Sequence, residues 1–206
     1  MVLTQEINTA PTAATLHFEP LTTGNWQLLL QLFGYNGACG GCWCMTWRLP
    51  ANEYEKNKGA KNCDLFHQLI EKKEPVGIIA FESRVPIGWC SVSPREKLVR
   101  LKNSRIFKSI DNEPVWSITC LYIEKGYRKK GVSAKLIIAA SKYAFANGAR
   151  IVEAYPLVPP ADKPVPDLFA YHGLESAYKK AGFIKVKQAS DNRLIMRCYG
   201  VHHQQA

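Results

Sequence analysis

No apolar run in this 206-residue chain approaches the roughly 18 residues that a membrane-spanning helix needs. Its opening, MVLTQEINTAPTAATL, holds neither a basic leader nor a continuous apolar stretch, so no secretory signal and a cytoplasmic location are expected. Acid is scarce: 17 Asp and Glu stand against 27 Lys and Arg, a formal net charge of +10. The seven cysteines are an odd number without secretory context, and read as thiols rather than a disulfide framework. Neither GxxxxGK[ST] nor GxGxxG occurs, which excludes a P-loop and argues against a dinucleotide fingerprint. No repeat is visible. Hydrophobic residues make up 47%, enough for a real core. One domain over residues 15–200 is expected, with a flexible start at 1–14 and a short flexible tail at 201–206.

The richest stretch is LYIEKGYRKKGVS, residues 121–133. A short apolar strand passes through a tight turn into a basic loop. That loop opens an amphipathic helix over 134–147, stopped by Gly148. Gly131 lets backbone approach a ligand without a Cβ in the way. Unpaired N–H groups at a helix start favour an anion, and Arg128, Lys129 and Lys130 add formal charge. Such a loop suits a phosphorylated ligand.

Periodicity predicts strands at 16–21, 76–82, 87–93, 115–123, 149–157, 183–188 and 193–199. Helices are expected at 25–33, 63–73, 134–147 and 174–181, with irregular chain at 34–50 and a proline-rich loop at 156–173. The basic stretch 95–108 reads as a helical piece with a solvated face, Leu98, Leu101 and Ile106 being its apolar positions. The order strand–loop–helix–strand after 115 suggests a right-handed βαβ crossover. On pattern alone the chain is α/β or α+β with a mixed sheet.

The spacing Arg128-x-x-Gly131-x-Ser133 resembles the acetyl-CoA signature [QR]-x-x-G-x-[GA] of the GNAT acetyltransferases, with serine at the small final position. Tyr178-Lys-Lys-Ala-Gly182-Phe183 is similar to that family's later Y-x-x-x-G-F helix end. The resemblance implies a central mixed sheet flanked by helices, acetyl-CoA as co-substrate, and acetyl transfer to an amine by direct attack. It implies that backbone groups of Cys120, Leu121, Tyr122 and Ile123 meet the pantetheine arm. The diphosphate would then lie on Arg128 and the loop Lys129, Lys130, Gly131, Val132, Ser133 and Ala134.

Acyl transfer to an amine needs a neutral amine, an oxyanion donor and a proton for the departing thiolate. Tyr178 is the candidate acid, since a phenol stays protonated at neutral pH. Glu113 and Glu153, before the central strand and on the next one, are candidate bases, and a water relay through Ser117 or Thr119 is the alternative. Cys120 offers a covalent acetyl-cysteine route. Trp43, Trp47 and Arg48 are expected to grip the acceptor by stacking and cation–π contact, or one indole plugs the core. Asp162, Asp167, Tyr171 and His172 would form the opposite wall. Cys39-x-x-Cys42 has zinc-knuckle spacing that Cys63 or His67 would complete, but there is no second CxxC, and thiols are preferred to a metal. A nucleic-acid module using 95–108 and a non-catalytic acyl-CoA sensor remain as other readings. Phe107 is the only aromatic residue in that basic stretch, which argues against nucleic acid. Monomer and homodimer are both open.

Overall fold

The computed structural model describes residues 15–159 and 171–200. The expected flexible ends at 1–14 and 201–206, together with Asp162 and Asp167, lie outside the described residues. Along the chain run β1 (Leu16–Pro20), α1 (Trp26–Phe33), α2 (Ala51–Lys56), α3 (Ala60–Glu71), β2 (Gly77–Glu82) and β3 (Val85–Pro94). There follow a short α4 (Val99–Lys102), β4 (Trp116–Ile123), α5 (Val132–Ala146), β5 (Ile151–Ala154), α6 (Glu175–Lys180), β6 (Ile184–Ser190) and β7 (Arg193–Tyr199).

The strands form one mixed sheet in the order β1-β2-β3-β4-β5-β7-β6. Only β4 and β5 pair in parallel, through the α5 crossover; the other neighbours are antiparallel. One face is covered by α5, whose Val132, Leu136, Ile137, Ala140 and Ala144 pack on Ile118, Leu121 and Val152. That helix is stopped as its sequence requires: Gly148 takes φ +87°, and Ala149 N–H reaches back to Ala144 O at 3.0 Å. The other face carries an aromatic core of Trp26, Phe33, Trp43, Phe66 and Trp89 beneath α1 and α3.

Two irregularities open the sheet. The β3–β4 register slips between Ser91, opposite Cys120, and Val92, opposite Ile118, leaving Thr119 as a bulge. β5 is shorter than the predicted 149–157 and stops at Ala154, before Pro156, which has no N–H to give a ladder. It pairs only Trp116, Ser117 and Ile118 of β4. From Thr119 to Ile123, β4 therefore has an edge that β5 does not cover.

Two expectations need correction. Residues 51–56, which lie outside the expected helices, form α2, with Pro50 at its start and Glu53 and Lys56 at the ends the helix dipole favours. The basic stretch is helical only at Arg95–Lys97 and Val99–Lys102, with Lys97, Lys102, Arg105 and Lys108 exposed as expected, but two of its residues are placed otherwise. Its Leu98, Leu101 and Phe107 are buried and Arg95 turns inward, whereas Ile106 is exposed.

Candidate active site

The uncovered end of β4 faces a cleft of about 1130 Å³. One half is built by β4, the loop beyond it and α5; the other by residues of the 38–47 turn, Tyr54 of α2, Tyr171 and Arg193. The loop half is shaped by local chemistry. Glu124 accepts the Gly126 N–H at 2.7 Å and fixes the turn that leaves β4. Lys129 (φ +60°) and Gly131 (φ +77°) both adopt left-handed conformations, curling the backbone into a nest of N–H groups. Gly131 is the N-cap of α5 and has no side chain to satisfy the first turn. A Cβ there would meet nothing within 4 Å, so open space lies in front of these donors. Arg128 donates from Nε to Ile123 O at 2.9 Å, tying the loop to the strand.

Alternation along β4 sorts its backbone. Glu124 N–H bonds to Ile87 O at 2.9 Å on the β3 side, whereas Leu121 N–H bonds to Tyr171 O at 2.7 Å on the other. Leu121 and Ile123 thus present their backbone groups away from β3, toward the cleft. Cys120, Leu121, Tyr122, Ile123, Arg128, Lys129, Gly131, Val132, Ser133 and Ala134 all line it. Lys130 does not; its ammonium sits 5.5 Å from the Tyr127 ring centroid.

The acid–base candidates scatter. Glu113 is an exposed residue ahead of β4, paired with Arg150 at 2.9 Å at the end of the strand away from the loop. Glu153 is buried, bound to Arg95 at 3.0 Å, Arg197 at 2.9 Å and the Tyr155 hydroxyl at 2.8 Å. Neither lines the cleft, so neither is placed to take a proton from an acceptor there. Tyr178 is fully buried and its hydroxyl donates to His172 O at 2.9 Å, while burial pushes its pKa well above the phenol range. Its ring stands one layer behind the wall. A Cβ on Gly173, itself at φ +77°, would fall 2.6 Å from Leu121 Cδ1 and 2.9 Å from Tyr178 Cε2.

Of the expected acceptor grip, only Trp47 lines the cleft. Trp43 is buried against Trp26 and Phe33, which is the core-plug reading. Arg48 is buried too, giving Nη2 to Val76 O at 3.4 Å and Ser93 Oγ at 3.2 Å. The pattern missed Tyr54 and Arg193, which line the acceptor half; no sequence signal marks either. Four thiols, Cys39, Cys42, Cys44 and Cys120, also line it. Among the described residues no group of three or more His, Cys, Asp and Glu is arranged to hold a metal, and His67 instead pairs with Glu71.

His172 sits in a ring cage, 4.3 Å from Tyr171 and 5.5 Å from Trp47 between centroids. Burial, aided by Arg193, pulls its pKa from 6.5 down to about 3. The folded value is depressed, so its contribution to stability is complete above pH 6.5 and is lost as pH falls toward about 3. Denaturant titrations of His172→Phe across that window should show a flatter decline than the parent, by up to ~1.4 kcal/mol per pH unit. Parallel declines would place the imidazole in water.

A family model described as "Acetyltransferase (GNAT) family" matches residues 43–174. No curated protein matches the chain. A solved structure described as an acetyltransferase of the GNAT family from Desulfovibrio desulfuricans superposes with TM-score 0.51 at 12% identity, covering 90% of this chain and 99% of that one. The aminoglycoside N-acetyltransferase AAC(6')-Iy, solved with CoA, gives 0.51 at 13% identity over 87% of this chain and 94% of its own. A Bacillus halodurans protein gives 0.50 at 17%, over 89% and 83%. These likenesses are of fold.

Proposed function

This chain belongs to the GNAT family of acetyltransferases, with acetyl-CoA as co-substrate, and from that premise we propose that it acetylates a primary amine of a small molecule or peptide. The observation that carries the reading is the juxtaposition of the uncovered β4 edge with the left-handed nest at Lys129 and Gly131. The loop N–H groups and Arg128 would hold the diphosphate, and the Leu121 carbonyl and Ile123 N–H the pantetheine amides, the Leu121 N–H and Ile123 carbonyl being engaged by Tyr171 and Arg128. Trp47, Tyr54 and Tyr171 would stack on the acceptor, and Arg193 would lie beside it. The chain's part in catalysis is to hold thioester and amine in one water-poor cleft and to return a proton to the departing thiolate.

Tyr178 is the proton donor we favour. Its raised pKa keeps it protonated, and it lies directly behind Leu121 and Gly173 in the cleft wall. To act, its hydroxyl must leave the His172 carbonyl. Tyr178→Phe separates this role from a purely structural one. As an acid, its loss should lower kcat at least ~100-fold with the acetyl-CoA KM unchanged. A merely structural hydroxyl would cost ~1 kcal/mol of stability and leave kcat intact. The function itself is tested by thiol release from acetyl-CoA over a panel of polyamines, aminoglycosides and peptide N-termini. Tight acetyl-CoA binding with no release on any amine would contradict it.

A further inference from the structure

We propose that Cys44 is a nucleophile in this cleft, taking the acetyl group from acetyl-CoA as an acetyl-cysteine before passing it to the amine. The proposal rests on the acetyl-CoA reading above and goes beyond it in assigning the route. Four observations converge on this sulfur.

Cys44 lines the cleft beside Cys120, the residue immediately before Leu121 on the open strand. It is held there by strained backbone: Trp43 (φ +44°) and Cys44 (φ +55°) are consecutive non-glycine residues in the left-handed region, each costing ~1–3 kcal/mol. The indole N–H of the fully buried Trp89 donates to Cys44 Sγ at 3.0 Å. A neutral thiol is a weak acceptor, so a buried donor aimed at the sulfur favours the thiolate. The fourth observation is Arg48. It is 6% exposed, it bonds only to neutral oxygens, and its Nε has no partner among the described residues. Among the described residues it forms no ion pair with a carboxylate, and its charge acts on Cys44 more than on Glu74. A buried guanidinium without a carboxylate calls for an anion.

The neighbouring thiols are tuned oppositely. The neighbouring Cys120 thiol, with Trp89 and Arg48, lowers the Cys44 pKa against its burial, whereas Cys120 is raised by Cys44 and by burial, and burial pushes Cys42 up to about 12. Cys90, behind them, is raised as well. Of these four thiols Cys44 is the one whose pKa is lowered.

The chemistry balances without a further reagent. Cys44 Sγ⁻ adds to the thioester carbonyl carbon, the bond from that carbon to the CoA sulfur breaks, and the released thiolate takes one proton from Tyr178. A neutral amine then adds to acetyl-Cys44, the carbon–Sγ bond breaks, and the proton the amine loses restores Tyr178. Cys44 leaves as the thiolate that Trp89 and Arg48 stabilise. The net change is acetyl-CoA plus amine to CoA plus amide. The first half needs no amine, and this makes the idea testable before any acceptor is known.

The full chain is incubated with excess acetyl-CoA and isotopically labelled CoA, without amine. Exchange of label into acetyl-CoA is expected, together with an acid-stable, hydroxylamine-labile acetyl group that peptide mass mapping locates on Cys44. Cys44→Ala should abolish both while still binding acetyl-CoA, and Cys63→Ala, altered on α3 outside the cleft, should retain both. Absence of exchange and of acetyl-enzyme in the parent protein, with acetyl-CoA binding intact, overturns the proposal and leaves direct attack. Loss of acetyl-CoA binding in the parent would instead remove the functional reading beneath it. Should Cys44→Ala fold poorly, the exchange and mapping on the parent decide alone.

Discussion

Gly131→Glu should weaken acetyl-CoA binding about 100-fold, close to 3 kcal/mol, in a calorimetric titration. Three effects add. Residue 131 holds φ +77°, where a side chain costs ~1–2 kcal/mol. The new side chain enters space that is open in front of the α5 N-terminus, since a Cβ there touches nothing within 4 Å. Its carboxylate then takes the N–H groups and dipole that the diphosphate would use. Because nothing in the protein is displaced, the folded state should lose only about the backbone strain. Gly131→Ala isolates that strain, and is expected to raise Kd less than about tenfold. Equal affinities for the parent protein and Gly131→Glu would mean that the diphosphate does not use this loop.

The largest loss of stability should follow Glu153→Ala. Glu153, 1% exposed, bridges Arg95 from the turn after β3 and Arg197 from β7. Arg197 also takes Asp111 at 2.6 Å, and Arg95 reaches the Tyr155 hydroxyl and the Phe107 carbonyl. The Arg197 guanidinium holds the Asp111 carboxyl below the usual range, so that contribution is lost as pH falls below 3.8. Removing the shared carboxylate strands two guanidinium groups in a space with little water. Breaking a buried pair in this way costs ~3–5 kcal/mol, which for a domain of this size lowers Tm by roughly 6–20 °C. Unchanged stability would mean that the network is hydrated and its charges screened. Glu113→Ala, at an exposed pair, should cost less than ~1 kcal/mol.

What could be read from the sequence was local. The β4–loop–α5 unit is legible because strand period, turn chemistry and a helix stop are adjacent in the chain, and the structure places ten of the eleven expected cofactor residues on the cleft. The acceptor half was mostly illegible because long-range packing decides it. Trp43 and Trp47 look alike in sequence, yet left-handed turns at residues 43 and 44 send the first into the core and leave the second at the cleft. Glu153 reads as a candidate base until its partners arrive from β7 and from Arg95, far off in sequence. Likewise nothing near Cys44 announces Trp89 as its donor. The miss at α2 was different in kind. Pro50, Glu53 and Lys56 form a legible helix start and end, outweighed by the Asn, Lys and Gly that follow.

A crystal structure of the chain soaked to saturation with CoA tests the central claim most directly. The account predicts the diphosphate on the backbone N–H groups of residues 130–134 and the pantetheine arm alongside Leu121 and Ile123. Density for the diphosphate on any other surface, with the β4 edge bare, would contradict it.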